Sequence, residues 1–483
     1  MKSKSFLLVS AVLFVLLGTA CAEDTLKFEA ENGTLLGGAS VQKIGDSMFV
    51  TGLQNDGDGF SLPVEVSESG FYDLSFHIKS QDGSYKENHV LADGQLVGTV
   101  SVEGKAWQDR ALPYVYLEKG THTVGMEKYW GWVQTDYVTL LPSVLLPEDL
   151  YEVEPTLCNP NASIEAQRLM TYLCDSYGNA ILSGQYCDEG MYGAENASIW
   201  KTTGGKYPAI LGLDMIEYSP SRVAHGSKGT SVDKAIDYWN KGGIVTFCWH
   251  WNAPEKYITG VWYSAFYTEH CNLDLAKVMD GRDPVGYDLL MKDIDAIAAE
   301  LTRLRDAGVP VLWRPLHEAS GGWFWWGAAG SEAYIKLYRL LYDRLTHEYG
   351  LNNLIWVWNA QSADWYPGDE YVDIIGDDIY PGERVYSSQA ARFIAAMQCT
   401  NKRKIIALSE NGCLPDPDLC WRDGIKWAYT GTWGGEFVLK NKVYNIISEK
   451  YTDKEMLVRF YNDERVITRD ELPDLKSYPL RTD

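Results

Sequence analysis

Two glutamates, Glu318 and Glu410, close separate apolar runs, PVLWRPLHE at 310–318 and IIALSE at 405–410. A pair of carboxyl groups presented from different strands suits glycoside hydrolysis. One carboxylic acid must protonate the leaving oxygen, while one carboxylate attacks the sugar or activates water. A gap of about 5 to 5.5 Å between them gives retention of configuration. Arg314 and His317 flank Glu318 and are placed to hold and tune an acid. Trp323, Phe324, Trp325 and Trp326 follow at once. Indole rings stack on the flat C–H faces of sugars, so this cluster reads as the wall of a sugar cleft, with at least one ring left for the core. A rim ion pair with Arg314 is the competing explanation for either glutamate alone. Two carboxylates on one rim, in an aromatic setting, favour chemistry.

Positioning these residues requires strands. Side chains alternate along a strand, so Leu312, Arg314, Leu316 and Glu318 share a face, as do Ile406, Leu408 and Glu410. With the leucines filling an interior, both glutamates emerge above it. From residue 158 onward, apolar runs alternate with amphipathic helical stretches. The runs are 181–185, 208–214, 243–250, 310–318, 354–359, 372–380 and 405–410, with WGGEFVL at 433–439 as a candidate eighth. Eight strand–helix repeats over residues 158–483 predict an α/β fold, a (β/α)₈ TIM barrel, rather than a doubly wound open sheet. Active sites of such barrels gather at the C-terminal strand ends. Asp214, His250, Glu318, Asn359, Asp378 with Tyr380, and Glu410 stand at those ends.

Residues 24–143 behave differently. Short alternating runs separated by NDGDG, ADG and EKG turns predict an all-β sandwich. The acidic, proline-bearing stretch 144–157 reads as a linker or a packed crossover. Residues 1–22 carry Lys2 and Lys4 ahead of an apolar Phe6–Leu17 run, which predicts a secretory signal peptide; a membrane span needs about 20 apolar residues. Cys21 also allows a lipid anchor. The expected location is therefore secreted, periplasmic or lipid-anchored at the cell surface.

A net charge of −23 argues against a nucleic-acid partner. The 18 Trp and 31 Tyr exceed ordinary packing needs and suit a carbohydrate partner. Of nine cysteines, Cys158 with Cys174 and Cys413 with Cys420 are plausible local bridges in an exported chain. There is no CxxC, HExxH or P-loop pattern.

The motifs WRPLHE…GGWFWWG, ILSGQ, TFCWHWNAP, LIWVWN, VDIIGDDIY and ALSENG resemble glycoside hydrolase family 26, whose members include secreted β-mannanases. The resemblance spans residues 158–483 and implies a retaining mechanism with no catalytic cofactor. It implies Glu318 as acid/base and Glu410 as nucleophile. It implies substrate contacts from His250, Trp262, Arg314, His317, Trp323, Trp358, Asp378, Tyr380 and Trp433. Ala319-Ser320 replaces the asparagine-containing run usual after the acid/base, a departure that bears on the contacts beside the cleaved bond. FEAENG at 28–33 and GWVQTDYVTLL at 131–141 resemble carbohydrate-binding modules of family 35 or the related family 6. That likeness implies a structural calcium held by Glu29, Glu31 and Asp136, with Tyr85, Asn88, Trp130 and Trp132 as a sugar-binding face. The expected partner is a β-mannan polysaccharide met by a monomer. A mannobiose-releasing enzyme, a β-glucanase or xylanase, and a non-catalytic binding protein are the alternatives.

Overall fold

A computed structural model describes residues 26–187, 193–441 and 446–481. The leader expected at 1–22, with Cys21, lies outside the described residues. The chain divides into two compact units between Leu145 and Leu146.

The first unit is a β-sandwich of two antiparallel sheets. One sheet orders Ser40–Ile44, Ser47–Thr51, Val133–Pro142, Gly70–Ser80 and Gln108–Leu117, with Leu26–Glu29 pairing along Val133–Pro142. The other orders Thr34–Leu36, Gly59–Val66, Gly120–Glu127, Lys86–Ala92 and Gln95–Val102. Strand alternation builds the core. Leu62, Val64 and Val66 point inward from one sheet and Leu74, Phe76 and Ile78 from the other, all essentially buried. A bulge between Thr135 and Val138 breaks that alternation at Asp136 and Tyr137.

The second unit is a closed parallel barrel of eight strands. These are β1 (Gly184–Tyr186), β2 (Ile210–Asp214), β3 (Ile244–Trp249), β4 (Val311–Pro315), β5 (Leu354–Trp358), β6 (Ile374–Ile379), β7 (Ile405–Asn411) and β8 (Thr430–Thr432). Gln185 pairs with Thr432 to close the ring. Strands β3 to β7 are buried along their whole length, as expected where packed side chains fill the inside and helices cover the outside. The long helix Pro284–Asp306 shows how the cover forms. Asp283 caps its N-terminus through Gly286 N, Pro284 supplies the first turn, and Leu290, Ile294, Ile297, Leu301 and Leu304 recur at helical spacing on the buried face.

Three expectations are corrected. The eighth strand is Thr430–Thr432, not 433–439. A Cβ at Gly431 would lie 2.3 Å from the Ser409 carbonyl oxygen, so only glycine lets this strand dock on β7. Residues beyond Trp433 turn away into a 3₁₀ turn at Gly435–Phe437 and a hairpin strand at Leu439–Asn441. The run at 181–185 splits, because Ile181–Leu182 pairs with Val466–Ile467 and the barrel strand starts at Gly184. No disulfide forms among the described cysteines. Cys158 and Cys174 do not pair, nor do Cys413 and Cys420. Cys413 Sγ donates instead to Tyr451 O at 3.1 Å, and Cys420 is sealed in the core.

The acidic stretch after residue 145 is part of the barrel unit rather than a free linker. Leu150, Val153 and Leu157 join its core. The Tyr151 hydroxyl accepts from Lys426 N at 2.9 Å and donates to Gly424 O.

Candidate active site

Among the fully buried strands, a few polar side chains break the apolar rule, and they converge. Arg314, from β4, is completely buried. Its Nη1 lies 2.5 Å from Asp378 Oδ2, its Nε donates to Tyr186 OH at 3.2 Å, and its Nη2 pairs with Glu410 Oε2. Tyr380 OH donates to the other Glu410 oxygen. Asp378 Oδ1 accepts from Asn359 Nδ2 at 2.7 Å and Ser409 Oγ at 2.9 Å. Glu318, Asp378 and Glu410 each bring one carboxylate oxygen within 4.8 Å of the others. One guanidinium therefore anchors two carboxylates and leaves the third, Glu318, without a cation of its own among the described residues.

That difference sets the electrostatics. Burial, and then the negative neighbours Asp378 and Glu410, push Glu318 well above the usual carboxylate range, outweighing Arg314 and one indole hydrogen bond. Burial pushes Asp378 up to about 7 even against the Arg314 guanidinium, with Glu410 adding to the rise. His317 is held well below the usual histidine range by burial first, then by Arg314 and His250.

The backbone places Glu318 by a different route from the expected one. Strand β4 ends at Pro315, and simple alternation does not continue to residue 318. Leu316 (φ 55°) and Glu318 (φ 53°) both adopt the left-handed conformation, and Glu318 N donates to Asn359 O at 2.7 Å. The chain then turns through Gly321, where a Cβ would lie within 1.9 Å of the Trp323 ring. Removing that atom seats the indole, whose Nε1 donates to Glu318 Oε2 at 2.9 Å. Strand β7 also departs from alternation. The β6–β7 register slips between Gly376↔Ala407 and Asp378↔Glu410, a bulge that lets the neighbours Ser409 and Glu410 both reach the buried cluster.

Most of the expected contacts gather here. His250 sits 5.7 Å from Trp433 and 4.5 Å from His317, ring centre to ring centre, and Trp433 packs on Tyr186 at 5.0 Å. Trp323 stays 44% exposed. Trp325 and Trp326 are core, their indoles donating to Trp251 O and His317 O at 2.7 and 2.8 Å. Trp358 does not join the cleft. It is fully buried and packs edge-on against Tyr366, because alternation at the end of β5 turns Trp358 outward and Asn359 toward the cluster. Trp262 is half-buried on the loop after β3 and stacks on His225 at 4.2 Å, with Arg222 over its ring. Ala319, in place of the expected asparagine run, is buried.

Asn359 and Asp214 were legible as polar strand ends. Tyr186 lies one residue beyond the ILSGQ run, and Ser409 has no sequence signal because alternation turns it away from Glu410.

In the sandwich, Tyr85, Trp130 and Trp132 are exposed, Trp130 by 50%. Asn88 is instead buried and clamps the adjoining loop, its Oδ1 accepting from Tyr129 N and Gly131 N at 3.0 and 2.8 Å. The proposed calcium ligands fit only in part. Glu31 Oε2 is buried with no hydrogen-bond partner, as suits a cation ligand. Glu29 pairs with Lys27 at 2.8 Å.

A carboxyl group with a raised proton affinity beside a carboxylate anchored by a guanidinium, at the C-terminal mouth of a (β/α)₈ barrel lined with aromatic rings, is the arrangement of a glycoside hydrolase. The chain belongs to glycosyl hydrolase family 26, whose profile matches residues 158–471, and it carries a carbohydrate-binding module of family 35 at residues 26–143. It is 40% identical to a mannan endo-1,4-β-mannosidase of Thermothelomyces thermophilus, over 92% of this chain and 90% of that protein. It is 32% identical to mannan endo-1,4-β-mannosidase B of Piromyces sp., over 94% of this chain and 79% of the relative. The crystal structure of a Podospora anserina GH26-CBM35 β-(1,4)-mannanase superposes with a TM-score of 0.66 at 36% identity, covering 94% of this chain and 99% of that one.

Proposed function

We propose that this protein is an exported, retaining endo-β-1,4-mannanase acting on mannan, glucomannan or galactomannan. The observation that carries the proposal is the pair Glu318 and Glu410, with carboxylate oxygens within 4.8 Å and opposite electrostatic settings. Inverting enzymes leave about 6.5 to 9.5 Å for a water between their carboxyls, so this separation favours retention. In the first step Glu410, oriented by Arg314 and Tyr380, attacks the anomeric carbon while Glu318 protonates the departing sugar. The bond to the leaving oxygen breaks and a glycosyl ester forms on Glu410. In the second step Glu318, now ionised, takes a proton from water, which displaces Glu410 and restores both groups. His250, Trp323 and Trp433 line the place where the sugar rings sit. Arg314 holds Asp378 and Glu410 from within, while buried His317 packs against His250, and neither is free to stack on substrate.

Proton NMR of fresh mannohexaose hydrolysate tests the mechanism: the β-anomer of the new reducing end should appear first, and an initial α-anomer would rule retention out. Reducing-sugar release from mannan, with little from lichenan or xylan, tests the substrate. Mannobiose as the sole early product would replace endo with exo action. For the module, Tyr85, Trp130 and Trp132 supply the polysaccharide contact. A structural calcium would rest on Glu31 first, and a chelator would then lower the melting temperature of the sandwich.

A further inference from the structure

Behind His250 lies a chain of polar contacts that the two-carboxylate reaction does not use. Asp214 Oδ2, at the end of β2, sits 2.5 Å from His250 Nδ1. His250 Nε2 lies 3.2 Å from His317 Nε2. His317 Nδ1 is buried and has no hydrogen-bond partner. The other Asp214 oxygen accepts from Ile216 N at 2.9 Å and His250 N at 3.0 Å. Both carboxylate oxygens are thus taken up by protein donors.

These contacts determine where the protons are. A carboxylate only accepts, so His250 Nδ1 carries its proton. His317 Nδ1, buried with nothing to accept from it, is bare, so His317 carries its proton on Nε2 and donates it to a bare His250 Nε2. The arrangement has one consistent direction, Asp214 ← His250 ← His317. Reversing it would bury an N–H on His317 Nδ1 with nothing to accept it, at a cost of about 1–3 kcal/mol.

We infer that Asp214 is a positioning residue for the active centre: it fixes the tautomer and ring plane of His250, and through His250 those of His317, the residue next to the acid/base. His250 meets the cleft beside Trp433 and Phe324. Its ring orientation therefore bears on how the sugar at the cleavage point is seated. The activity arm of this inference rests on the mannanase reading; the tautomer arm does not.

The test begins with the unmodified protein, labelled with ¹⁵N-histidine; the chain has only 8 His. His250 should show a protonated Nδ1 and a bare Nε2, and His317 the reverse. The opposite tautomer on either ring overturns the inference without any variant. In Asp214→Asn the amide can donate to His250 Nδ1, which forces a proton onto Nε2, facing that of His317. The expected result is a flipped His250 tautomer and a fall in kcat/KM on mannohexaose of at least about tenfold, by analogy with the loss when the carboxylate orienting a catalytic histidine is neutralised. In Asp214→Asn with His317→Gln, the glutamine oxygen can accept from His250 Nε2, and part of the loss should return. A flipped tautomer with unchanged kcat/KM, or a loss that the second substitution deepens by simple multiplication, overturns the positioning role. If the unmodified protein shows the expected tautomers but hydrolyses no mannan, the substrate assignment fails and the relay stands.

Discussion

Glu318 and Glu410 are chemically identical side chains placed in opposite surroundings. Glu410 belongs to β7 and takes donors from a buried guanidinium and a phenol. Glu318 stands past the end of β4 on left-handed backbone, with a single indole donor and two acidic neighbours. The comparison teaches that roles within a carboxylate pair are assigned by what surrounds each group. In the proposed mechanism the shared cation goes to the nucleophile, and its absence makes the acid.

The largest break of this comparison is removal of either partner. Glu410→Ala should abolish turnover on mannan, and Glu318→Ala should lower it by about 10²- to 10⁴-fold. The two differ with an aryl mannoside whose leaving group needs no protonation: Glu318→Ala should recover its first step there and Glu410→Ala should not. Equal recovery by both would dissolve the distinction.

Next comes the shared cation. Arg314→Met leaves Asp378 and Glu410 buried without their partner, and removal of one member of such a group costs about 3–5 kcal/mol of folding stability. Chemical denaturation should show it, and an unchanged midpoint would mean that the guanidinium does not anchor the pair.

A finer test uses pH. In the proposed mechanism Glu318 must hold its proton to act, so its raised pKa should extend activity toward higher pH. Asp378→Asn removes a negative neighbour, which lowers the Glu318 pKa and should move the basic limb of kcat/KM to lower pH. Movement upward would contradict the stated cause.

The smallest effect is on stability. Because Glu318 binds its proton more tightly folded than unfolded, it stabilises the fold below its unfolded-state pKa and loses that contribution as pH rises toward its folded one. Glu318→Gln should therefore raise the melting temperature at pH 8 and leave it nearly unchanged at pH 4.

Seven of the eight barrel strands were legible because buried parallel strands are continuous apolar runs between helices. The eighth was not. Thr430–Thr432 is too short to make a run, and its place depends on Gly431 meeting the Ser409 backbone, a contact remote in sequence. The two glutamates converge as expected, but by a different geometry. Alternation located the strands, but the left-handed residues 316 and 318 and the bulge at 409–410 do the aiming, and neither leaves a sequence signature. Trp358 was misplaced because its neighbour Asn359 takes the inward position. Trp325 and Trp326 show that an aromatic cluster can be mostly scaffold, with only Trp323 left at the surface.

The lack of a disulfide among the described cysteines carries a consequence for handling the protein. None of the described architecture is stapled by sulfur, and most of these side chains are sealed away from solvent. The folded state should therefore be indifferent to glutathione or dithiothreitol, and a host cytosol kept reducing should yield the same active molecule as an oxidising compartment.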